Sequence, residues 1–110
     1  MATPDSPRDG PLTVQLHEDG ESLTVWVTGE LDIATGEVLQ KALRHAFDGD
    51  AASIILDLAE VTFIDSVGLR ALLWGAEHQD GHRLSVRCRS GAVRRMMETT
   101  GIDRSLPLIP

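Results

Sequence analysis

Apolar residues in this chain recur with two different periods, and the two periods alternate along the sequence. Residues 12–17, 23–28, 53–58 and 84–88 alternate apolar with more polar side chains, and a short acidic turn is predicted after Leu58. A period of two predicts strands that are buried on one face only. Residues 18–21 contain a glycine and separate the first two segments, so we predict a turn over all four residues and a hairpin around it.

Three segments with helical spacing separate or follow these strands. Their apolar stripes are Val38, Leu39, Ala42, Leu43 and Ala46, then Leu69, Leu72, Leu73 and Ala76, then Val93, Met96 and Met97. Thr35 is the predicted N-cap of the first helix and Ser66 that of the second. The third helix is predicted to open near Ser90 and to close at Gly101. The tail, residues 105–110, either adds an edge strand or packs loosely.

This order of elements predicts an α/β fold built on one sheet. Helical crossovers join parallel strands and the opening hairpin joins antiparallel ones, so a sheet of four to five strands is mixed. Because each strand keeps a polar face, we expect three or four helices mainly on one side of the sheet. The 110 residues suffice for one domain, which we place at residues 12–110. Residues 1–11 are polar and rich in proline, which predicts a disordered leader and no secretory signal.

Composition excludes several classes of partner. The formal net charge is −7 and the cationic residues form no stripe, so we expect neither nucleic acid nor an anionic membrane surface as a partner. No apolar run is long enough to span a bilayer. The single cysteine, Cys88, ends a strand pattern and fits a buried thiol in a reducing compartment. The expected location is the cytoplasm.

Ser66 stands where the second helix begins, and it can be a cap, a nucleophile or a modified residue. A hydrolase elbow needs glycine two residues before the serine, where this chain has Ile64; only Gly68 matches. No histidine is placed by the pattern as a general base. We therefore predict no enzyme activity at Ser66.

Cofactor and metal sites are also not expected. The chain has no glycine-rich phosphate loop with a lysine. His78, Asp80 and His82 are closely spaced, but Gly81 should end the helix between them, so no fixed pair of imidazoles is expected. The acidic pairs Glu30/Asp32 and Asp57/Glu60 are expected to be solvated loop charges.

The sequence resembles the STAS-domain family, and within it the bacterial anti-sigma factor antagonists. The resemblance runs from about Leu12 to Leu108. It rests on Gly29-Glu30-Leu31-Asp32, on Leu56-Asp57-Leu58, on Phe63-Ile64-Asp65-Ser66-Val67-Gly68-Leu69, and on residues 93–101. Each motif is weak alone, but this order and these spacings are fairly specific to the family.

The resemblance implies a partner switch centred on Ser66. The unphosphorylated antagonist binds an anti-sigma factor that is also a serine kinase, and the sigma factor is released. Phosphorylation of Ser66 ends the binding, and a serine phosphatase resets it. The implied partner-binding residues are Glu30, Asp32, Asp65, Ser66, Val67, Gly68 and Leu69. Many family members carry a second serine where this chain has Val67, so one competing phosphate acceptor is absent.

A second function shares the same fold. The chain can be a STAS subunit of another assembly, such as a stressosome-type sensor complex or lipid-transport machinery. The pairing of intact motifs at residues 29–32 and 65–69 with a free-standing domain favours the antagonist.

Overall fold

The computed structural model describes residues 12–79, 81, 83–88 and 91–109. In that part of the chain, five strands form a single sheet in sequence order, and helices connect all but the first two. The strands are β1 (Leu12–Asp19), β2 (Ser22–Leu31), β3 (Ser53–Ile64), β4 (Leu84–Arg87) and β5 (Leu108–Ile109). The helices are α1 (Gly36–Phe47), α2 (Ser66–His78) and α3 (Ala92–Thr100), and a short 3₁₀ helix covers Ile102–Arg104.

The sheet is mixed, as predicted. β1 and β2 are antiparallel, and the pairs β2–β3, β3–β4 and β4–β5 are parallel. The α/β class, the order of elements and the edge strand in the tail are confirmed. The predicted leader at residues 1–11 lies outside the described residues, as does Ser90 itself, but α3 begins close to Ser90, at Ala92, as predicted.

The core lies on one face of the sheet. The register partners Val25, Leu56 and Val86 are fully buried on that face. Each parallel crossover steps to the next strand in the same direction, and right-handed crossovers then place all three helices on the same side. The adjacent positions form the other face, where Trp26 is 46% exposed and Asp57 pairs with Arg87 at 3.3 Å. The prediction of helices mainly on one face is therefore confirmed. Asp57 is buried, and both Asp57 and Glu60 belong to β3, so the expectation that this pair is a solvated loop charge is wrong.

β3 is twice as long as predicted. The expected acidic turn after Leu58 is absent, and the strand continues through Glu60 to Ile64. In two places β3 carries one more residue than β2, so the register shifts. Each extra residue changes which face the following side chains meet, and after Leu58 the buried positions become Val61 and Ile64. The period-two signal is lost although the strand goes on.

The first hairpin turn is shorter than predicted. Glu18 and Asp19 belong to β1 and pair with Leu23 and Ser22, which leaves a two-residue loop. Gly20 adopts φ of 64°, a conformation that glycine reaches without steric cost. Gly20 thus supplies the positive φ that a two-residue hairpin loop requires at its first position.

The cap position of α1, the end of α3 and the burial of the cysteine agree with the sequence. Thr35 occupies the N-cap position of α1, but its side chain makes no capping hydrogen bond. Gly101 closes α3 in the left-handed conformation, with φ of 83°. Cys88 is buried, and this burial raises the pKa of its thiol. No helix in the described ranges is both long enough and apolar enough to cross a bilayer.

Candidate functional site

Two sequence motifs some thirty residues apart meet at the carboxyl ends of β2 and β3. Glu30 is the register partner of Phe63, and Leu31 that of Ile64. The backbone N–H of Asp65 donates to the carbonyl oxygen of Leu31 at 3.2 Å, and α2 begins at the next residue. The carboxyl ends of parallel strands are the usual location of binding sites in α/β sheets. The motifs at residues 29–32 and 63–69 therefore form one surface.

Asp65, and not Ser66, is the N-cap of α2. The backbone of Asp65 is extended, and its Oδ1 accepts a hydrogen bond from the N–H of Gly68 at 2.7 Å. The prediction that Ser66 is the cap is therefore wrong by one residue. A carboxylate binds the free N–H groups of a helix start more strongly than a hydroxyl does, because the bond is charge-assisted. Ser66 is left as the first residue inside the helix.

Gly68 lets the start of α2 approach the end of β2. A Cβ atom added at this position would lie 2.6 Å from the carbonyl carbon of Leu31 and closer still to its oxygen. The neighbour is backbone and cannot rotate away. Gly68 is therefore needed for the contact between α2 and β2, which is a structural role.

Ser66 is the residue of this motif whose side chain has no structural task. It is exposed, and its hydroxyl makes no hydrogen bond to any residue in the described ranges. Of its neighbours, Leu69 is half-buried against the core and Val67 is half-buried at the surface. The motif thus holds the helix start in place and presents one hydroxyl to solvent.

Asp32 organises the loop between β2 and α1. Its Oδ1 accepts hydrogen bonds from the N–H groups of Ala34 at 3.0 Å and Thr35 at 3.2 Å. The hydroxyl of Thr35 donates to the carbonyl of Glu30 at 2.8 Å and accepts from the N–H of Asp32 at 2.9 Å. Asp32 is half-buried in this turn, whereas the side chain of Glu30 is exposed.

Sequence reasoning missed two exposed apolar side chains beside this surface. Ile33 in the loop is 76% exposed, and Phe63 at the end of β3 is 49% exposed. A large apolar residue directly after Asp32, in a short turn with no other large side chain of that kind, was the available signal for Ile33. Both residues lie at the adjacent ends of β2 and β3, and large apolar side chains exposed close together are typical of docking surfaces.

A shallow groove was also missed. It has a volume of about 190 Å³ and lies between α2 and the corner that follows α3. Ser66, Arg70 and Leu73 line one side, and Gly101 and Ile102 line the other. The spacing of four residues between Ser66 and Arg70 was a signal for this pair, since such residues are neighbours on a helix.

The chemistry available at this surface is that of an acceptor hydroxyl. His17 lies in β1 and His45 in α1, while His78 contacts the carbonyl of Trp74 at the far end of α2. His82 and Asp80, which the sequence placed near His78, fall outside the described residues. The part of the chain that the structure describes contains no group of three or more His, Cys, Asp or Glu residues arranged to hold a metal ion.

Known proteins share both the sequence pattern and the fold. The family model described as "Mlab, STAS domain" matches residues 14–110. Anti-sigma-F factor antagonist RsfB of Mycobacterium tuberculosis is 27% identical over 109 residues, which cover 98% of this chain and 85% of that protein. An anti-sigma factor antagonist from Mycobacterium paratuberculosis superposes with a TM-score of 0.83 at 30% identity, over 100% of this chain and 91% of that one. The Bacillus cell fate determinant SpoIIAA, in its phosphorylated form, gives a TM-score of 0.64 at 22% identity, over 89% of this chain and 92% of that one.

Proposed function

The chain belongs to the STAS-domain family, and we propose that it is an anti-sigma factor antagonist that phosphorylation of Ser66 switches off. In this role its unphosphorylated form binds an anti-sigma factor that is also a serine kinase, and the sigma factor is released. A serine phosphatase restores the binding form. This role places the protein in the cytoplasm, in line with its buried thiol and its acidic composition.

One observation carries the proposal. Within the motif at residues 65–69, Asp65 caps the helix and Gly68 permits a backbone contact, while the hydroxyl of Ser66 is exposed and unbonded. A residue that serves the fold cannot be modified without loss of stability, whereas Ser66 can. The names of the relatives, anti-sigma factor antagonists, support the same role.

The docking face combines apolar and polar elements around Ser66. Ile33 and Phe63 supply exposed apolar anchors, which dominate the binding energy of many interfaces. Glu30 lies beside Phe63 and adds an exposed carboxylate. Among the residues expected to bind the partner, Asp32, Asp65 and Gly68 act chiefly by holding this face in shape; Ser66, Val67 and Leu69 lie on or beside it.

The switch needs only a local change of charge. A phosphate on Ser66 adds about 1.5 to 2 negative charges at neutral pH. The positive end of the α2 dipole stabilises that charge, so the fold is retained. The carboxylate of Asp65, the preceding residue, repels it. An interface shaped for a neutral hydroxyl offers this anion no opposite charge on the partner, and its burial there is costly. A loss of about 3 kcal/mol weakens binding more than a hundredfold.

Phosphorylation mapping tests the site. The protein is incubated with its cognate anti-sigma factor kinase and ATP, and intact mass and phosphopeptides are measured. We expect one phosphate on Ser66 and none on the Ser66→Ala protein. Ser105→Ala is the matched control, because Ser105 is also exposed and lines the same groove. A Ser66→Ala protein that is modified as fully as the wild type contradicts the assignment.

A charge mimic tests the mechanism. Ser66→Asp is expected to bind the anti-sigma factor at least about a hundredfold more weakly by titration calorimetry. Its Tm should move little, because an acidic residue in the first turn of a helix is favourable. Ser105→Asp places the same charge on the opposite wall of the groove and should cost less affinity. Equal affinities of Ser66→Asp and wild type would rule out the electrostatic switch.

The open sheet face favours a second candidate, a STAS subunit of a larger assembly of the stressosome or lipid-transport type. Trp26 is exposed in the middle of that face, beside the Asp57–Arg87 ion pair. Affinity purification with mass spectrometry separates the two roles. A Trp26→Ser change that releases the captured partner, while Ser66→Asp leaves it bound, indicates the assembly subunit. The reverse result indicates the antagonist.

A further inference from the structure

Arg70 is the cation closest in sequence to Ser66, and its position gives it a role in the switch. It lies four residues after Ser66 on α2, where it is exposed. The guanidinium forms no ion pair within the described ranges, unlike Arg87 and Arg94, which pair with Asp57 and Glu98. Ser66 and Arg70 line the same side of the groove between α2 and the corner after α3.

The geometry suits a pair formed by a phosphate and a guanidinium. Residues four apart on a helix have Cβ atoms about 5–6 Å from each other, within reach of an arginine side chain. An anion that precedes a cation by four residues is the more favourable of the two orders. A guanidinium can also donate two parallel hydrogen bonds to phosphate oxygens. The carboxylate of Asp65 bonds the N–H of Gly68 and forms no ion pair with Arg70 in the described ranges.

We propose that Arg70 is an internal clamp for the phosphate on Ser66. The clamp holds the modified side chain along the α2 wall of the groove, opposite Gly101 and Ile102. It thereby favours the dianionic phosphate and covers the apolar wall near Leu73 with an ion pair. Phosphorylation then fills this groove, which adjoins the docking face at Ser66, in addition to adding charge. This inference rests on the proposed function, since it assigns a role to the phosphorylated state.

The test uses protein with phosphoserine incorporated at position 66 during translation, so that no kinase is needed. The second pKa of the phosphate, ordinarily about 6, is followed by ³¹P NMR titration. A nearby cation stabilises the dianion and lowers this pKa. We expect Arg70→Gln to raise it by about 0.15–0.4 units, the equivalent of a helical ion pair, and Arg70→Lys to raise it less. High salt should reduce the difference.

Arg95→Gln is the matched control. Arg95 is an exposed arginine on α3 without an ion pair in the described residues, so the change removes the same charge from another helix. Its phosphate should titrate as in wild type. The clamp is wrong if Arg70→Gln titrates like wild type, or if Arg95→Gln shifts the pKa equally. Either result leaves the proposed function standing. Failure of the kinase to modify Ser66 overturns that function, and it is recognised separately because the titration uses no kinase.

Discussion

The two ends of α2 use their polar and aromatic side chains in opposite ways. At the carboxyl end, Trp74 stacks on His78 with ring centroids 4.4 Å apart and on Phe47 at 6.2 Å. The guanidinium of Arg44 lies over the Trp74 ring at 5.3 Å. At the amino end, Ser66 is exposed, and its hydroxyl has no hydrogen-bond partner in the described residues. At the carboxyl end the side chains contact one another, whereas at the amino end the Ser66 hydroxyl is exposed to solvent.

This difference separates stability from function within one helix. The groups that fix the amino end are Asp65 and Gly68, and both act on the backbone rather than on a side chain. Ser66 stands between them without sharing their contacts. A change at either neighbour should therefore cost stability, while a change at Ser66 should cost binding. Substitutions at these positions test whether stability and binding are separated in this way.

The largest expected effect is that of Gly68→Ala. The new Cβ would collide with the Leu31 backbone, so we expect a loss of about 3 kcal/mol in the free energy of unfolding, or failure to fold. Urea denaturation followed by circular dichroism measures it. Gly75→Ala is the matched control on the same helix. Its Cβ would lie 2.9 Å from Leu43 Cδ1, the end of a side chain that can shift, so its cost should be clearly smaller.

The decisive result is which of the two substitutions lowers the free energy of unfolding more. If Gly75→Ala destabilises the protein as much as Gly68→Ala, the close approach of α2 to Leu31 is not what requires a glycine at the amino end. The structural role assigned to Gly68 within the motif would then be wrong.

An intermediate effect is expected at the cap. Asp65→Ala removes the charge-assisted bond to the N–H of Gly68 and should cost about 1–2 kcal/mol. Ser66→Ala should change the free energy of unfolding by less than about 0.5 kcal/mol, because the hydroxyl is exposed and unbonded. Thermal and urea unfolding of both variants measure the difference. A larger loss for Ser66→Ala than for Asp65→Ala would return the capping role to the serine.

The sequence alone predicts most of this fold because its signals are local. Alternation in β2 and β4 and the stripes of α1 and α2 each lie within one element. The second half of β3 is not predicted, because two register shifts interrupt the alternation of apolar and polar residues. Each shift depends on pairing with the neighbouring strand β2, which the local sequence does not show. Residues 59–62 are therefore predicted as a turn when only the sequence is known.

The position of the site could be predicted from the sequence, but the roles of its individual residues could not. The motif identifies Ser66 from sequence, yet the cap moves to Asp65 because that residue has the extended backbone and the charged side chain. The need for Gly68 depends on Leu31, more than thirty residues away in sequence. Exposure of Ile33 and Phe63 likewise depends on what the rest of the chain leaves uncovered. Non-local contacts of this kind have no period.

The smallest expected effect lies at the carboxyl end of α2. His78→Ala removes the stack on Trp74 and the contact of Nδ1 with the Trp74 carbonyl at 2.9 Å. Aromatic pairs and exposed helix-end hydrogen bonds are each modest, so we expect a loss of about 0.5–1 kcal/mol in the free energy of unfolding. Affinity for the anti-sigma factor should be unchanged, because the proposed docking face surrounds the other end of the helix.

Glu77→Ala is the control for this variant. Glu77 is exposed next to His78 and has no interaction with other described residues, so its removal should change stability by less than about 0.5 kcal/mol. Urea unfolding and titration calorimetry on both variants complete the test. A His78→Ala protein with normal stability and weakened binding would reverse the assignment of the two ends, because the stacked end would then belong to the docking face. Loss of stability alone would mean that the Trp74 stack serves the packing of α1 on α2.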